Sequence, residues 1–210
     1  MVSSFNVISL LIWSKDRACQ LDCLLSSLPS KMFDTVTVLY KTSSDVFLEG
    51  YKRLKSKYPS ITFEYEGSFH AQTMQWVQAQ KYANALVCVS TDDTVFYRTP
   101  TVTKEQIENL NWETNCTFSF RYGLNTVVQN HNTGEIQPAL NVYEKTNNLI
   151  TWRFDEYHPL HNYGYPFGLD LHVYSSELML QLMQNIPFSN TNQLESGLFR
   201  YTPVVPKLIT

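Results

Sequence analysis

Over the first half of the chain, short β-branched apolar runs alternate with stretches in which apolar residues recur every three or four positions. The first pattern is that of buried strands, the second that of amphipathic helices. Strands are predicted at 6–13, 34–40 and 61–65, and a fourth runs from Leu86 to the acids Asp92 and Asp93. Helices are predicted at 17–28, 45–58 and 69–83; Pro29 and Pro59 stop the first two. A βαβαβαβ order predicts a parallel sheet covered by helices on both faces.

The second half is less regular. Thr103 opens a short helix to Leu110, with Gln106 completing a capping box. A strand is expected at 117–122 and a short one at 151–154. The Asn-rich stretch 123–150 reads as loop plus a hairpin-like pair around Asn132-Thr133-Gly134. An aromatic loop at 157–169 precedes helices at 176–185 and 192–200. The expected fold class is α/β: a single Rossmann-like domain with a central, mostly parallel sheet flanked by helices and a small antiparallel or irregular part. The composition changes near residue 100, which divides this domain into two halves, 1–100 and 101–210.

Composition narrows the function classes. The chain has 210 residues, 43% apolar and 17% charged, enough for a full core and too few charges for disorder. The net charge is −3 with no basic stripe, which argues against a nucleic-acid surface. The apolar N-terminus is short and lacks a basic n-region, so it reads as a first strand rather than a signal peptide. No run approaches the ~20 apolar residues of a membrane span. Cys19, Cys23, Cys88 and Cys116 have neither a zinc spacing nor disulfide density, so reduced thiols and a cytoplasmic location are expected. Pro203 and Pro206 near the end leave room for further domains of a longer polypeptide. The 13 Tyr, 12 Phe and 4 Trp can stack on sugars or simply fill a core.

Candidate chemistry starts at Asp92-Asp93. Adjacent carboxylates ending a buried strand repel one another, and a hard divalent cation, Mn²⁺ or Mg²⁺, relieves that repulsion. In open α/β sheets ligands collect beyond the carboxyl ends of strands, where these acids lie. A solvated turn capped by Asp92 is the plainer alternative. Neither G-x-G-x-x-G nor the P-loop pattern is present, so a bound diphosphate would be neutralised by a cation instead.

The strand ending in Thr91-Asp92-Asp93 resembles the Asp-x-Asp element of GT-A glycosyltransferases. The resemblance continues through 118–125, 165–174 and 187–195, and spans nearly the whole chain. Size and layout are similar to the small chlorovirus transferases that glycosylate a major capsid protein, which implies a host cytoplasm if the chain is viral. The family implies a metal-dependent transferase moving a hexose or deoxyhexose, such as glucose or rhamnose, from a UDP-sugar to a glycan or glycoprotein hydroxyl. Residues 1–100 would be the nucleotide-sugar half and 101–210 the acceptor half.

On that resemblance Asp93 binds the metal, and Asp92 orients the ribose or supports the metal shell. Thr91 stands where many members carry an acid. His172 lies where a C-terminal metal ligand is often found, although a buried structural histidine is the alternative. Asp170, two residues earlier on a segment read as extended, would face the same side, touch donor-sugar hydroxyls and serve as the base candidate; a turn-capping role is its alternative.

Arg121 could pair with phosphate or an acceptor carboxylate, or form a surface salt bridge. Ser14, Lys15, Asp16 and Arg17, after the first strand, are expected to line the nucleotide pocket. Tyr40, Thr42 and Ser43, after the second, could hold uracil. Glu195 could serve the acceptor, or only the helix terminus it begins. Trp152, Tyr157, Tyr163 and Tyr165 are candidate acceptor faces, with core packing the alternative for Trp152. Stereochemical retention is favoured by family analogy. A metal-dependent phosphohydrolase, which needs more carboxylates near the first strand than Asp16, and a non-catalytic carbohydrate-binding module remain as other readings.

Overall fold

The computed structural model describes residues 5–126, 136, 138–159 and 161–210. In the first half, β1 (Ile8–Lys15), α1 (Ala18–Ser27), β2 (Thr35–Lys41), α2 (Asp45–Lys57), β3 (Thr62–Tyr65), α3 (Phe69–Tyr82) and β4 (Leu86–Thr91) follow the predicted order. All the strand pairs among them are parallel, in the spatial order β3-β2-β1-β4. Strand period places Leu11, Trp13, Leu39, Val87 and Val89 on one face, in a core shared with α3. Ile8, Leu10, Ile12, Val38, Tyr40 and Cys88 alternate onto the other face, against α1 and α2.

The second half adds α4 (Lys104–Glu108), β5 (Asn115–Ser119), β6 (Glu144–Thr146), β7 (Leu149–Arg153), β8 (His172–Ser175), α5 (Ser176–Met183), α6 (Thr191–Phe199) and β9 (Leu208–Ile209). The capping box on α4 forms as expected: the Thr103 hydroxyl accepts from Gln106 N, and the Gln106 side chain accepts from Thr103 N. β8, like β6 and β9, is a strand the sequence pattern did not announce. It lies antiparallel between β4 and β5, so the sheet is mixed: a parallel part over the first four strands and a larger antiparallel part than expected beyond β4. The β6–β7 hairpin turns at Asn147, whose φ of 55° suits asparagine. The hairpin expected around Asn132-Thr133-Gly134 lies outside the described residues.

β8 fixes the site. Its backbone ties the strand that ends in Asp92-Asp93 to the strand that leads to Arg121. The residue before it, Leu171, adopts a φ of 58°, and Leu171 N donates to Val89 O at 2.9 Å. This turn interrupts the alternation predicted for Asp170 and His172. The Asp170 carboxyl meets Thr91 at the strand end, whereas His172 is completely buried.

Candidate active site

A cleft of about 750 Å³ opens at the carboxyl ends of β1, β2 and β4, a size common for small-molecule sites. Its floor is a chain of hydrogen bonds. Tyr51 of α2 and Ser14 of β1 share a 2.5 Å contact, and the Ser14 hydroxyl donates to Asp92 Oδ2 at 2.7 Å. The hydroxyl's single proton is then committed to Asp92, so Tyr51 is the donor to Ser14. Arg17 closes the other side: its Nη1 lies 3.4 Å from Asp92 Oδ1 and 2.9 Å from Asp93 Oδ2. The turn bearing Arg17 is held by Asp16, at φ 58°, whose carboxylate accepts from Ser43 N at 2.7 Å. Asp16 is thereby spent on the loop after β2 and does not join the other acids.

The two adjacent acids differ in environment. Asp92 is 3% exposed, and burial is the main reason its carboxyl is held above the ordinary value, against the pull of Ser14 and Arg17. For Asp93 burial acts in the same direction but is outweighed by hydrogen bonds from Thr91 and Arg17, so its carboxyl is held below the usual value. Arg17 is raised in turn, chiefly by the charge of Asp92.

Asp170 completes the cluster. The Thr91 hydroxyl stands 2.7 Å from Asp93 Oδ1 and 2.8 Å from Asp170 Oδ1. One hydroxyl proton serves only one of these oxygens at a time. The other oxygen of Asp170 is paired to Arg121 Nη1 at 2.9 Å. Asp170 therefore links the acid cleft to a second cavity of about 620 Å³, which Arg121 also lines.

Of the residues singled out in the sequence, the structure brings Ser14, Arg17, Thr91, Asp92, Asp93, Asp170 and Arg121 into one neighbourhood. Several expectations need correction. Tyr40 does not face the cleft: its ring, 3% exposed, stacks on Tyr51 at 4.5 Å, and its hydroxyl accepts from Lys55 Nζ. Being even-numbered with Val38, it belongs to the face that packs on α2. Thr42 lies outside the cleft lining as well.

The third correction is His172. Its ring is sealed beneath Tyr122 and beside Gly168, with Nδ1 3.1 Å from Asp170 O and Nε2 unpartnered. Burial above all lowers its pKa to about 3, so the ring is neutral. The described residues do not bring it to the acids: no three His, Cys, Asp or Glu among them converge as a metal cage.

Trp152 is a core residue, its stated alternative, and Tyr163, expected as an acceptor face, is instead fully buried in the same core. The Trp152 indole donates to Tyr163 O at 2.9 Å, and Tyr157 packs its ring on Tyr163. Tyr165 stacks on Phe199.

Two features were underweighted or missed. Glu195, on α6, lines the acid cleft; burial first, then the charge of Asp170, holds its carboxyl above the ordinary value. Lys41 and Glu66, paired at 2.9 Å, form a wall that no local motif signals.

No protein-family model matches the sequence, and no curated protein does. Among solved structures, the chain superposes on a mannosyltransferase from Pyrobaculum calidifontis, determined in complex with GDP-Man and Mn²⁺. The TM-score is 0.53 at 11% identity, over 98% of this chain and 54% of that one. The fold is glycosyltransferase-like. At this identity the likeness is one of fold, and the chain spans about half the length of the mannosyltransferase. Weaker likenesses are to 4-diphosphocytidyl-2C-methyl-D-erythritol synthase (TM-score 0.48, 9% identity, 97% of this chain and 88% of that one) and to the WbbM bifunctional glycosyltransferase (0.42, 11%, 100% and 46%). They carry no argument at those scores.

The glycosyltransferase-like fold raises the question of a divalent cation, and the donor set fits one. Asp93 Oδ1 and Asp170 Oδ1 converge on a single hydroxyl oxygen, all three being hard donors. Mg²⁺ and Mn²⁺ use one or two carboxylates and complete their shells with water and phosphate rather than a full protein cage. No helix among the described residues is long and apolar enough to cross a membrane.

Proposed function

We propose that this chain is a metal-dependent glycosyltransferase that moves a hexose or deoxyhexose from a UDP-sugar to a hydroxyl of a glycan or glycoprotein, a viral capsid glycan being one such acceptor. The observation that carries the reading is the Asp92–Asp93–Asp170 cluster, tied together by Ser14, Thr91 and Arg17, in a cleft at strand carboxyl ends. The mannosyltransferase of similar fold holds a nucleotide sugar and Mn²⁺, which supports the donor class and the cation.

Asp93 and Asp170, with Thr91, would hold Mn²⁺ or Mg²⁺. When bound, the ion supplies Lewis-acid stabilisation of the departing diphosphate. Arg17 lies at the same place and adds a guanidinium fork for phosphate oxygens. Ser14 and Tyr51 hold Asp92 in one orientation. Asp170 stands between the donor cleft and the second cavity, where the acceptor hydroxyl would approach, and its carboxylate is the group available to take that hydroxyl's proton or to align it. Arg121, paired to Asp170 Oδ2 at 2.9 Å, aims the carboxylate. Retention of anomeric configuration is the outcome favoured by analogy. The proposed location is the cytoplasm, the host's if the chain is viral, where the four free thiols would stay reduced.

The test is calorimetry with UDP, GDP and their sugar conjugates, with and without Mn²⁺. Metal-dependent binding of UDP and slow hydrolysis of a UDP-sugar are expected. Binding of GDP alone would replace the donor assignment, and no metal-dependent binding of any nucleotide would end the reading.

A further inference from the structure

The two adjoining cavities carry opposite charge. The acid cleft is lined by Lys15, Arg17 and Lys41 against five carboxylates. The second cavity is lined by Arg98, Arg121 and Lys145 against one side-chain carboxylate, Asp170, which Arg121 already pairs; Thr210, the last residue of the sequence, lines it too. This excess of positive charge sits in a chain whose net charge is −3. All three cations are exposed, and the segments that carry two of them are joined. The Asn148 side chain on the β6–β7 turn donates to Thr101 O at 3.3 Å, which joins that hairpin to the loop after β4. Arg98 is laid over the Tyr97 ring at 5.2 Å. Among the described residues neither Arg98 nor Lys145 has a carboxylate partner, and Arg121 engages Asp170 through Nη1 alone.

We propose that the acceptor is an acidic saccharide, one that carries a carboxylate or phosphate, and that Arg98, Arg121 and Lys145 receive the anion while Phe120 and Tyr122 offer faces to the ring. The assignment rests on the glycosyltransferase reading for the word acceptor, and on the cavity alone for the anion. A cavity with an excess of positive charge raises the local concentration of anions, so a charged sugar is drawn in more than a neutral one. Guanidinium groups suit both oxyanions because their planar donors match two oxygens at once. Placement of the anion beside Arg121 leaves a neighbouring sugar hydroxyl within the region of Asp170, at the boundary with the donor cleft.

The experiment is a ligand-observed NMR titration with methyl glucuronide, glucose 6-phosphate and methyl glucoside, at low and high salt. The glucuronide and the phosphate are expected to bind about tenfold more tightly than the neutral glucoside, as charge-assisted hydrogen bonds imply. The preference should shrink at high salt, because these cations are partly exposed. Preference for only one of the two anions would identify the group the acceptor carries. In an Arg98→Gln/Lys145→Gln double variant, checked for folding by thermal unfolding, most of the preference should be gone. Equal affinities for all three ligands, or a preference that survives the double substitution, overturns the inference. Nucleotide binding with Mn²⁺ is measured on the same samples. Its loss with anion preference intact sinks the donor reading alone, and the converse sinks the acidic acceptor alone.

Discussion

Gly168→Ala tests how the candidate base is held. A Cβ built there would stand 2.4 Å from His172 Cε1, 2.8 Å from Nδ1 and 2.9 Å from Nε2. Ordinary carbon contacts begin near 3.5 Å, so the ring would have to retreat by about 1 Å. It has nowhere to go: His172 is wholly buried, with Tyr122 edge-on at 5.1 Å and Tyr174 stacked at 6.4 Å. Overpacking of this kind costs about 1–3 kcal/mol, which in a domain of this size lowers the melting temperature by about 2–12 °C. The ring also touches Asp170 O through Nδ1 at 3.1 Å, so its displacement moves the turn that aims the Asp170 carboxyl at Thr91. Turnover of a nucleotide sugar should therefore fall more than nucleotide binding does. The assay is thermal unfolding and donor hydrolysis across a double-mutant cycle with His172→Ala. With the ring removed, the added methyl has space, and Gly168→Ala should cost far less than in the parent, a coupling of about 0.5–3 kcal/mol. The same cost in both backgrounds would refute the steric argument.

Asp93→Ala should abolish metal-dependent donor hydrolysis while leaving the fold intact, since the residue is exposed; unchanged turnover, read by product chromatography, removes Asp93 from the metal assignment. Ser14→Ala takes the hydroxyl donor from a buried carboxylate and should destabilise the protein by about 1–3 kcal/mol in urea denaturation. His172 gives a pH signature. Its pKa falls from 6.5 to about 3 on folding, so its contribution is complete above pH 6.5 and is lost as the unfolded state takes up a proton towards pH 3. That loss amounts to up to about 5 kcal/mol, and His172→Gln should flatten the stability profile between those pH values.

The first half of the fold was legible because its signals are local. Each strand is a short β-branched run, each helix keeps its apolar stripe, and Pro29 and Pro59 punctuate them. β8 was not, because His172-Val173-Tyr174-Ser175 follows a Gly- and Pro-containing aromatic loop and becomes a strand only by pairing with β4 and β5, both distant in sequence. β9 has two residues and the same dependence on distant partners. The acids at the end of β4 could be found because a buried run ending in two carboxylates is unusual in itself. Tyr40 could have been placed correctly from strand period alone, since it shares parity with Val38. The single left-handed residue Leu171, which separates Asp170 from His172, breaks the extended geometry that placed both side chains on one side, and a leucine gives no warning of it.

The insertion of β8 has a consequence for how this molecule can change over time. The acids after β4 and the arginine after β5 hang from two hydrogen-bonded ladders that meet at His172 of β8, so on the proposed reading the spacing between two substrates would be indexed by strand register rather than by loop length. The loop after β4 and the β6–β7 hairpin could then lengthen, shorten or swap residues, and so retune which acceptor the proposed enzyme admits, without altering that gauge.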